Sequence, residues 1–420
     1  MADQSVTSPT PESVPASRPS PPGAAGWSPW RVVVGFGVVS LAADMVYEGA
    51  RSMYGPLLAS LGASALVVGL VTGAGEAAAL LLRLVSGPLA DRTHRYWTLT
   101  IAGYTLTAVC VPLLAITPLL GGAGLALAAI LILAERLGKA VRSPAKSALL
   151  ADAAGQVGIG RGLGVHKALD QVGAFAGPLL VAGVVAGTGV LWPGFAALAV
   201  PGALALLTLA LVRRRANRTV TTSVPSPPTH QATGAKLPRM FWWFATASAL
   251  CTAGLVTFGL IGFHVVEADV VPAAGVPLLY AAAMAAAAVA ALATGTAYDR
   301  LGPRVLLALP LLVSIVPALA FGTGLGLTAT GVLLWGAAVG VQDSTIKAFV
   351  ADLVPRPRRA TAYGLFAAVQ GAGALLGGAA AGALYGYSRP GLIAAVAATQ
   401  VTALLILVPI VARIPTAHPR

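Results

Sequence analysis

Apolar runs about 20 residues long, separated by short clusters of Arg, Asp, Pro and Gly, make up most of the chain. A helix needs about 20 apolar residues to cross the hydrocarbon core of a bilayer. In lipid, only helices and closed barrels satisfy their own backbone groups. These runs are too long, and alternate too weakly, for barrel strands of about 10 residues. Of the 420 residues, 57% are hydrophobic and 10% charged, against about 25% charged in an ordinary soluble domain. With a mean hydropathy of +0.83, a water-soluble fold of this size would expose large apolar patches. The fold class is an all-α membrane protein.

Spans are expected at 31–58, 64–86, 97–118, 124–148, 163–186, 190–212, 240–264, 276–298, 303–321, 325–350, 361–386 and 390–412. They give twelve transmembrane helices in two six-helix bundles, 31–212 and 240–412. Residues 1–30 are a Pro/Ser/Ala-rich tail without the apolar core of a signal peptide. Residues 213–239, basic and rich in Pro, Ser and Thr, read as a flexible linker, and 413–420 as a short tail. The formal net charge is +13, which in a soluble chain would point to nucleic acid. Here most Lys and Arg fall in the tails and on one set of loops, leaving at most Arg51 and Arg389 on the other side. That bias puts both termini in the cytoplasm of a bacterial plasma membrane, and no nucleic-acid partner is expected. Cys110 and Cys251 lie in apolar segments and read as small hydrophobes.

The two halves carry the same punctuation. After span two the chain reads Gly87-Pro-Leu-Ala-Asp91-Arg92-Thr-His94-Arg95, and after span eight Gly295-Thr-Ala-Tyr-Asp299-Arg300-Leu-Gly302-Pro-Arg304. At an offset of 200, Ala151-Asp152 matches Ala351-Asp352, and Gly164, Gly173 and Gly177 match Gly364, Gly373 and Gly377. Duplicated membrane halves place a solute site at their interface near the bilayer midplane. On these D-R loops the sequence resembles the major facilitator superfamily, with His94 where that pattern has Gly and Tyr96 in place of its second basic residue. The resemblance implies alternating access, with Asp91 working against the start of span eleven near Thr361, and spans one, four, seven and ten lining the cavity. Gly164, Gly173, Gly177 and Pro178 in span five, with Asp170 among them, are similar to the family's antiporter signature, although its closing Gly pair is missing. The same small residues also suit plain close packing of helices.

Thirteen ionisable groups fall inside spans, and one at a span centre costs roughly 2.5–3.5 kcal/mol. They must pair or line a wet cavity. Asp44, Glu48 and Arg51 share one face of span one by spacing, as do Glu135, Lys139, Arg142 and Lys146 in span four. Glu76 and Arg83 lie in span two, Lys167 and Asp170 in span five. Asp343 and Lys347 form an i,i+4 pair in span ten. Span seven offers Thr252, Thr257 and His264. Asp44 or Glu48, modulated by Arg51, is expected to carry a coupling proton, unless the cluster is a fixed ion pair. Basic span four either attracts an anionic solute or neutralises Glu76, Asp170 and loop acids. Asp170 is expected to pair with Arg83, Lys139 or Lys167. Sparse aromatics make an aromatic-lined cavity unexpected.

No phosphate loop, H-E-x-x-H helix, G-x-S-x-G elbow or metal-ligand cluster occurs in the sequence, so neither an enzyme nor a cofactor is expected. The expected function is proton-coupled export of a small organic compound by a monomer. Proton-coupled uptake of an anionic metabolite is the alternative. A non-transporting sensor or scaffold is the alternative from another class.

Overall fold

The computed structural model describes residues 27–216, 237–354 and 358–413. The tail 1–26, residues 217–236 of the expected linker and the tail 414–420 lie outside the described residues, as do the side chains of Asp91 and Lys347. Among the described residues the ordered elements are all helical. The first half runs α1 (Pro29–Arg51), α2 (Tyr54–Ser60), α3 (Ala65–Leu81), α4 (Arg83–Thr93), α5 (Tyr96–Leu113), a 3-10 segment (Leu114–Ala123), α6 (Gly124–Gly155), α7 (Ile159–Thr188), α8 (Trp192–Ala197) and α9 (Ala199–Ala216). In the second half come α10 (Arg239–Gly254), α11 (Phe258–Glu267), α12 (Gly275–Leu301), a 3-10 segment (Gly302–Leu307), α13 (Ala308–Ala320), α14 (Leu325–Leu353), α15 (Arg359–Tyr387) and α16 (Arg389–Ala412).

Ten stretches of the described residues are long and apolar enough to cross a membrane. Two of them, Tyr96–Gly155 with 60 residues and Gly275–Ala320 with 46, far exceed one crossing at about 1.5 Å per residue. In the first, α5 folds back along α6 through a turn in which Gly121 takes a positive φ of 52°.

Spans one and seven were expected to be continuous, and the structure breaks both. Pro56 lacks the N–H that would bond the Ser52 carbonyl, and the chain turns at Ser52–Met53 before α2 begins. At the second break Leu255 leaves helical geometry with ψ of 86°, and Thr257 caps α11 by accepting from the Leu260 N–H. The carbonyl freed at Val256 accepts from the indole N–H of Trp335 at 2.7 Å. Turn chemistry, not hydropathy, decides both places.

Packing repeats between the halves. The pairs α1 with α7, α1 with α9, α5 with α9 and α3 with α6 recur as α10 with α15, α10 with α16, α13 with α16 and α12 with α14. A methyl group on Gly173 or Gly177 would collide with the backbone of Leu41 or Met45, and one on Gly373 or Gly377 with that of Ala249 or Ala253. These contacts set two registers: the first helices correspond at an offset of 208 (Leu41 to Ala249) and the fifth at 200 (Gly173 to Gly373). His94 ends α4 in left-handed geometry with φ of 52°, and 208 residues on Gly302 ends α12 with φ of 62°. The sign of φ is kept while ψ differs, 18° at His94 against −151° at Gly302, and a side chain in left-handed geometry costs about 1–2 kcal/mol of strain.

The halves meet through α3 with α15, α7 with α12 and α2 with α11. Around α2 and α11 the interior is sealed by buried Met53, Tyr54, Leu57, Leu58, Phe258 and Ile261. Toward α4 and the start of α15 a cavity opens between the halves.

Candidate functional site

The cavity holds about 900 Å³. Its first-half wall carries Asp44, Glu48 and Arg51 from α1, Glu76 from α3, Arg83 from α4, Lys139, Arg142 and Lys146 from α6, and Lys167 and Asp170 from α7. Facing them are Thr252, Thr257, Met284, Trp335, Gln342 and Gln370, with Asp343 as the one described charge on that side. Against expectation, Tyr47, Tyr104, Trp335, Tyr363 and Phe366 also line the space.

Three clusters organise the charged wall. Arg51 pairs with Glu76 at 2.7 Å and with Glu48 at 3.8 Å. Arg136 bridges Glu76 at 3.5 Å and Glu135 at 3.6 Å, donates to the Tyr47 hydroxyl and lies over its ring. Tyr280 of α12 donates to Glu48, so this network spans the two halves, as does the Thr72–Thr257 hydroxyl contact at 2.8 Å. On α6, Lys139 sits 3.3 Å from the centre of the Tyr47 ring. Arg142 covers the Tyr104 ring at 4.6 Å and donates to Thr107, and Lys146 donates to Ser40 at 2.9 Å. Lys167 pairs with Asp170 at 2.6 Å, and Asp170 and Asp44 both line the cavity, close enough for each carboxyl to act on the other.

With this geometry in place, comparison with known proteins assigns the lineage. The family model described as Major Facilitator Superfamily matches residues 36–270 and 263–420. The chain belongs to the Major Facilitator Superfamily. It is therefore a multi-pass membrane transporter. It is 52% identical over 400 residues to an uncharacterised protein of Mycobacterium tuberculosis, covering 93% of this chain and 95% of that one. An uncharacterised MFS-type transporter of Methanocaldococcus jannaschii is 27% identical over 361 residues, 83% of this chain and 87% of that one. Among solved structures, the nucleoside transporter NupG, in a mutant form, superposes with a TM-score of 0.71 at 14% identity, covering 90% of this chain and 99% of that one. A peptide transporter POT in complex with sulfate gives 0.73 at 16% identity, covering 91% and 94%. At such identities the likeness shows the fold.

This superfamily member brings most of the sequence-derived residues together. Asp44, Glu48, Arg51, Glu76, Lys139, Arg142 and Asp343 all line the cavity. Glu135 does not: it is fully buried behind Arg136 and accepts from Thr107 at 3.4 Å. Spacing put it on the lysine face of α6, but Arg136 holds it against α5. Arg142 faces Tyr104 and Thr107 and Lys146 faces Ser40, with no loop acid paired to either among the described residues. The expected Asp343–Lys347 pair and the contact of Asp91 near Thr361 lie outside the described residues. Arg92, Arg95, Asp299 and Arg300 are exposed at the helix ends, with Gly87 and Gly295 half-buried beside them. In α7, Gly173, Gly177 and Pro178 are buried, whereas a methyl group on Gly164 would meet nothing within 4 Å. His264 is buried, bonding the Tyr385 hydroxyl at 2.8 Å and the Gly322 carbonyl at 3.0 Å.

Sequence reasoning missed Tyr47, Tyr104, Tyr280, Gln342 and Gln370. The repeat held a usable signal for the glutamines: at the offset of 200, Gln342 and Gln370 stand where the first half has Arg142 and Asp170.

Proposed function

We propose that this chain crosses the plasma membrane twelve times, as two six-helix bundles with both termini in the cytoplasm, and moves a small solute by alternating access coupled to protons. The closed end at α2 and α11 then faces outward and the cavity opens inward. What supports the coupling is that two carboxylates, Asp44 and Asp170, stand near each other on the wall of the cavity. Ionised carboxylates repel and only accept hydrogen bonds, so two held close together favour a proton between them. Two carboxylates so placed lose that proton as a pair, and this pair stands on the wall of the solute cavity. Glu48 is less suited, because Arg51 and Tyr280 already hold it as an acceptor. Asp44 and Asp170 are thus the carrier, and Lys167 tunes the pair.

Export was suggested by the glycines of α7. Gly173 and Gly177 pack on α1 as Gly373 and Gly377 pack on α10, so packing accounts for them and they support no direction. A specific observation favours the second reading, uptake of an anion together with protons: Lys139, Arg142 and Lys146 take part in no ion pair among the described residues. Both readings are tested in inverted membrane vesicles acidified by respiration, with a pH-sensitive dye and pooled solutes. A solute-dependent change in the pH gradient that disappears in Asp44→Asn supports proton coupling. A change that survives in Asp44→Asn and in Asp170→Asn refutes it.

A further inference from the structure

We infer that the transported solute is an organic anion that also carries an N–H or O–H donor, its anionic group bound between Lys139 and Arg142 and its donor reaching Gln342 on the facing wall. The inference rests on the transport reading above and names the solute class of the same cavity.

Lys139 and Arg142 stand three residues apart on α6, on one face, and both line the cavity. Arg51 and Arg136 are matched by Glu48, Glu76 and Glu135, and Lys167 by Asp170, while Lys146 is held by the Ser40 hydroxyl. Lys139 and Arg142 instead rest on the faces of Tyr47 and Tyr104. A ring face positions a cation without cancelling its charge, and Arg142 keeps donors beyond the one given to Thr107. The carboxylates that sense these cations from further off are Asp44, Glu76 and Glu135. Glu76 and Glu135 already pair with arginines. Asp44 is engaged with Asp170. An anion entering the cavity therefore meets two held and unmatched cations.

The facing wall supplies the second contact. The Thr252 hydroxyl donates to the Ser248 carbonyl at 2.9 Å and so accepts from Gln342 Nε2 at 3.0 Å. That fixes the amide with its Oε1 buried and without a hydrogen-bond partner among the described residues. A buried acceptor left unpaired costs about 1–3 kcal/mol, which a donor on the solute recovers.

The sign of the charge also sets the sense of coupling. Six cations and five acids line the cavity, and one proton shared by Asp44 and Asp170 leaves six against four. Anion and proton then favour each other's binding, reciprocally, and travel together. A cationic solute would compete with the proton. The other groups facing the pair are Lys139 and Lys146 on α6, His166 and Lys167 on α7 and, sensed through Lys167, Asp343 on α14.

The test is thermal stabilisation of the purified full-length protein by three solute pools, at mildly acidic and mildly alkaline pH. One pool contains hydroxy- and amino-substituted carboxylates, sulfonates and organic phosphates. The second contains neutral amides, and the third amines. The anion pool is expected to stabilise, more strongly at acidic pH. Lys139→Gln and Arg142→Gln should each weaken it about tenfold or more, the loss of a charge-assisted bond, and Lys139→Arg should retain it. Lys139 is only half-buried, so its variants report even where Arg142→Gln does not fold. Gln342→Leu should abolish the preference for anions with a donor over those without. Anions that stabilise no better than amides or amines, or equally well in Lys139→Gln, overturn the proposal. Anion binding without pH dependence leaves the anion site standing and overturns coupling through Asp44–Asp170. Proton flux evoked by amines alone does the reverse.

Discussion

The two walls of the cavity are built on one plan and carry opposite chemistry. Gly173 and Gly177 bring α7 onto α1 as Gly373 and Gly377 bring α15 onto α10. Yet in the registers those contacts set, Asp44 corresponds to Thr252, Asp170 to Gln370 and Arg142 to Gln342. Where the first half sets Asp44 near Asp170, the second joins Thr252 to Gln342 at 3.0 Å and to Gln370 at 3.4 Å. One polar cluster is built of acids, and the other of neutral side chains. Likewise Glu76 corresponds to Met284, both in the lining. Arg136 corresponds to Gly336, whose missing side chain lets α14 touch Ala283 of α12. The architecture is repeated, while the described charges of the lining, Asp343 apart, belong to the first half.

The largest stability effect should come from breaking that asymmetry at Arg136. It is 2% exposed and lies between Glu76 and Glu135. Arg136→Ala leaves Glu135 buried without its ion-pair partner, a loss of about 3–5 kcal/mol, seen as a collapse in folded yield by size-exclusion chromatography. Gly336, its counterpart, answers to shape alone.

Next come the glycines that the halves share. Gly177→Ala and Gly377→Ala should each cost about 1–3 kcal/mol by overpacking, with similar drops in Tm. Gly164→Ala, which meets no neighbour, should be silent. A large difference between the first two would mean that the halves do not pack alike.

Tyr280→Phe tests where the walls are joined. It removes the bond to Glu48, a charge-assisted contact worth about 1.5–3 kcal/mol. Spin-label distances between α2 and α11 should shift toward a wider population. The smallest effect belongs to His94→Gly, which gives α4 the residue α12 already has at Gly302. Relief of left-handed strain, offset by the flexibility that Gly adds to the unfolded chain, should raise stability by under about 1 kcal/mol, read as a slightly higher Tm.

Most of the helical segments were legible because hydropathy over 20 residues is a strong signal, as at 325–350 against Leu325–Leu353. The breaks at Met53 and Val256 were not, because each depends on one missing or redirected hydrogen bond. In the site, Asp44, Glu48 and Lys139 were visible since a charge among apolar residues needs a reason. The Asp44–Asp170 pair was hidden by distance in sequence, 126 residues, and by the expectation that Asp170 pairs with a cation, Arg83, Lys139 or Lys167. Tyr47 and Tyr280 stayed invisible because a tyrosine in an apolar run looks like packing until its hydroxyl finds a carboxylate or a guanidinium. Glu135 misled for the converse reason: an acid on the right helical face can still be turned to a neighbouring arginine.

Coupling through the acid pair is tested most directly in proteoliposomes with a pH-sensitive dye inside, supplied with a solute pool that responds in vesicles. Wild type and the double variant Asp44→Thr, Asp170→Gln, which gives the first half the residues of the second, are compared for proton flux and for solute exchange at equal pH. The expected result is that the variant keeps exchange and loses solute-evoked proton movement. Proton movement at the wild-type rate in that variant would contradict a carrier at Asp44 and Asp170.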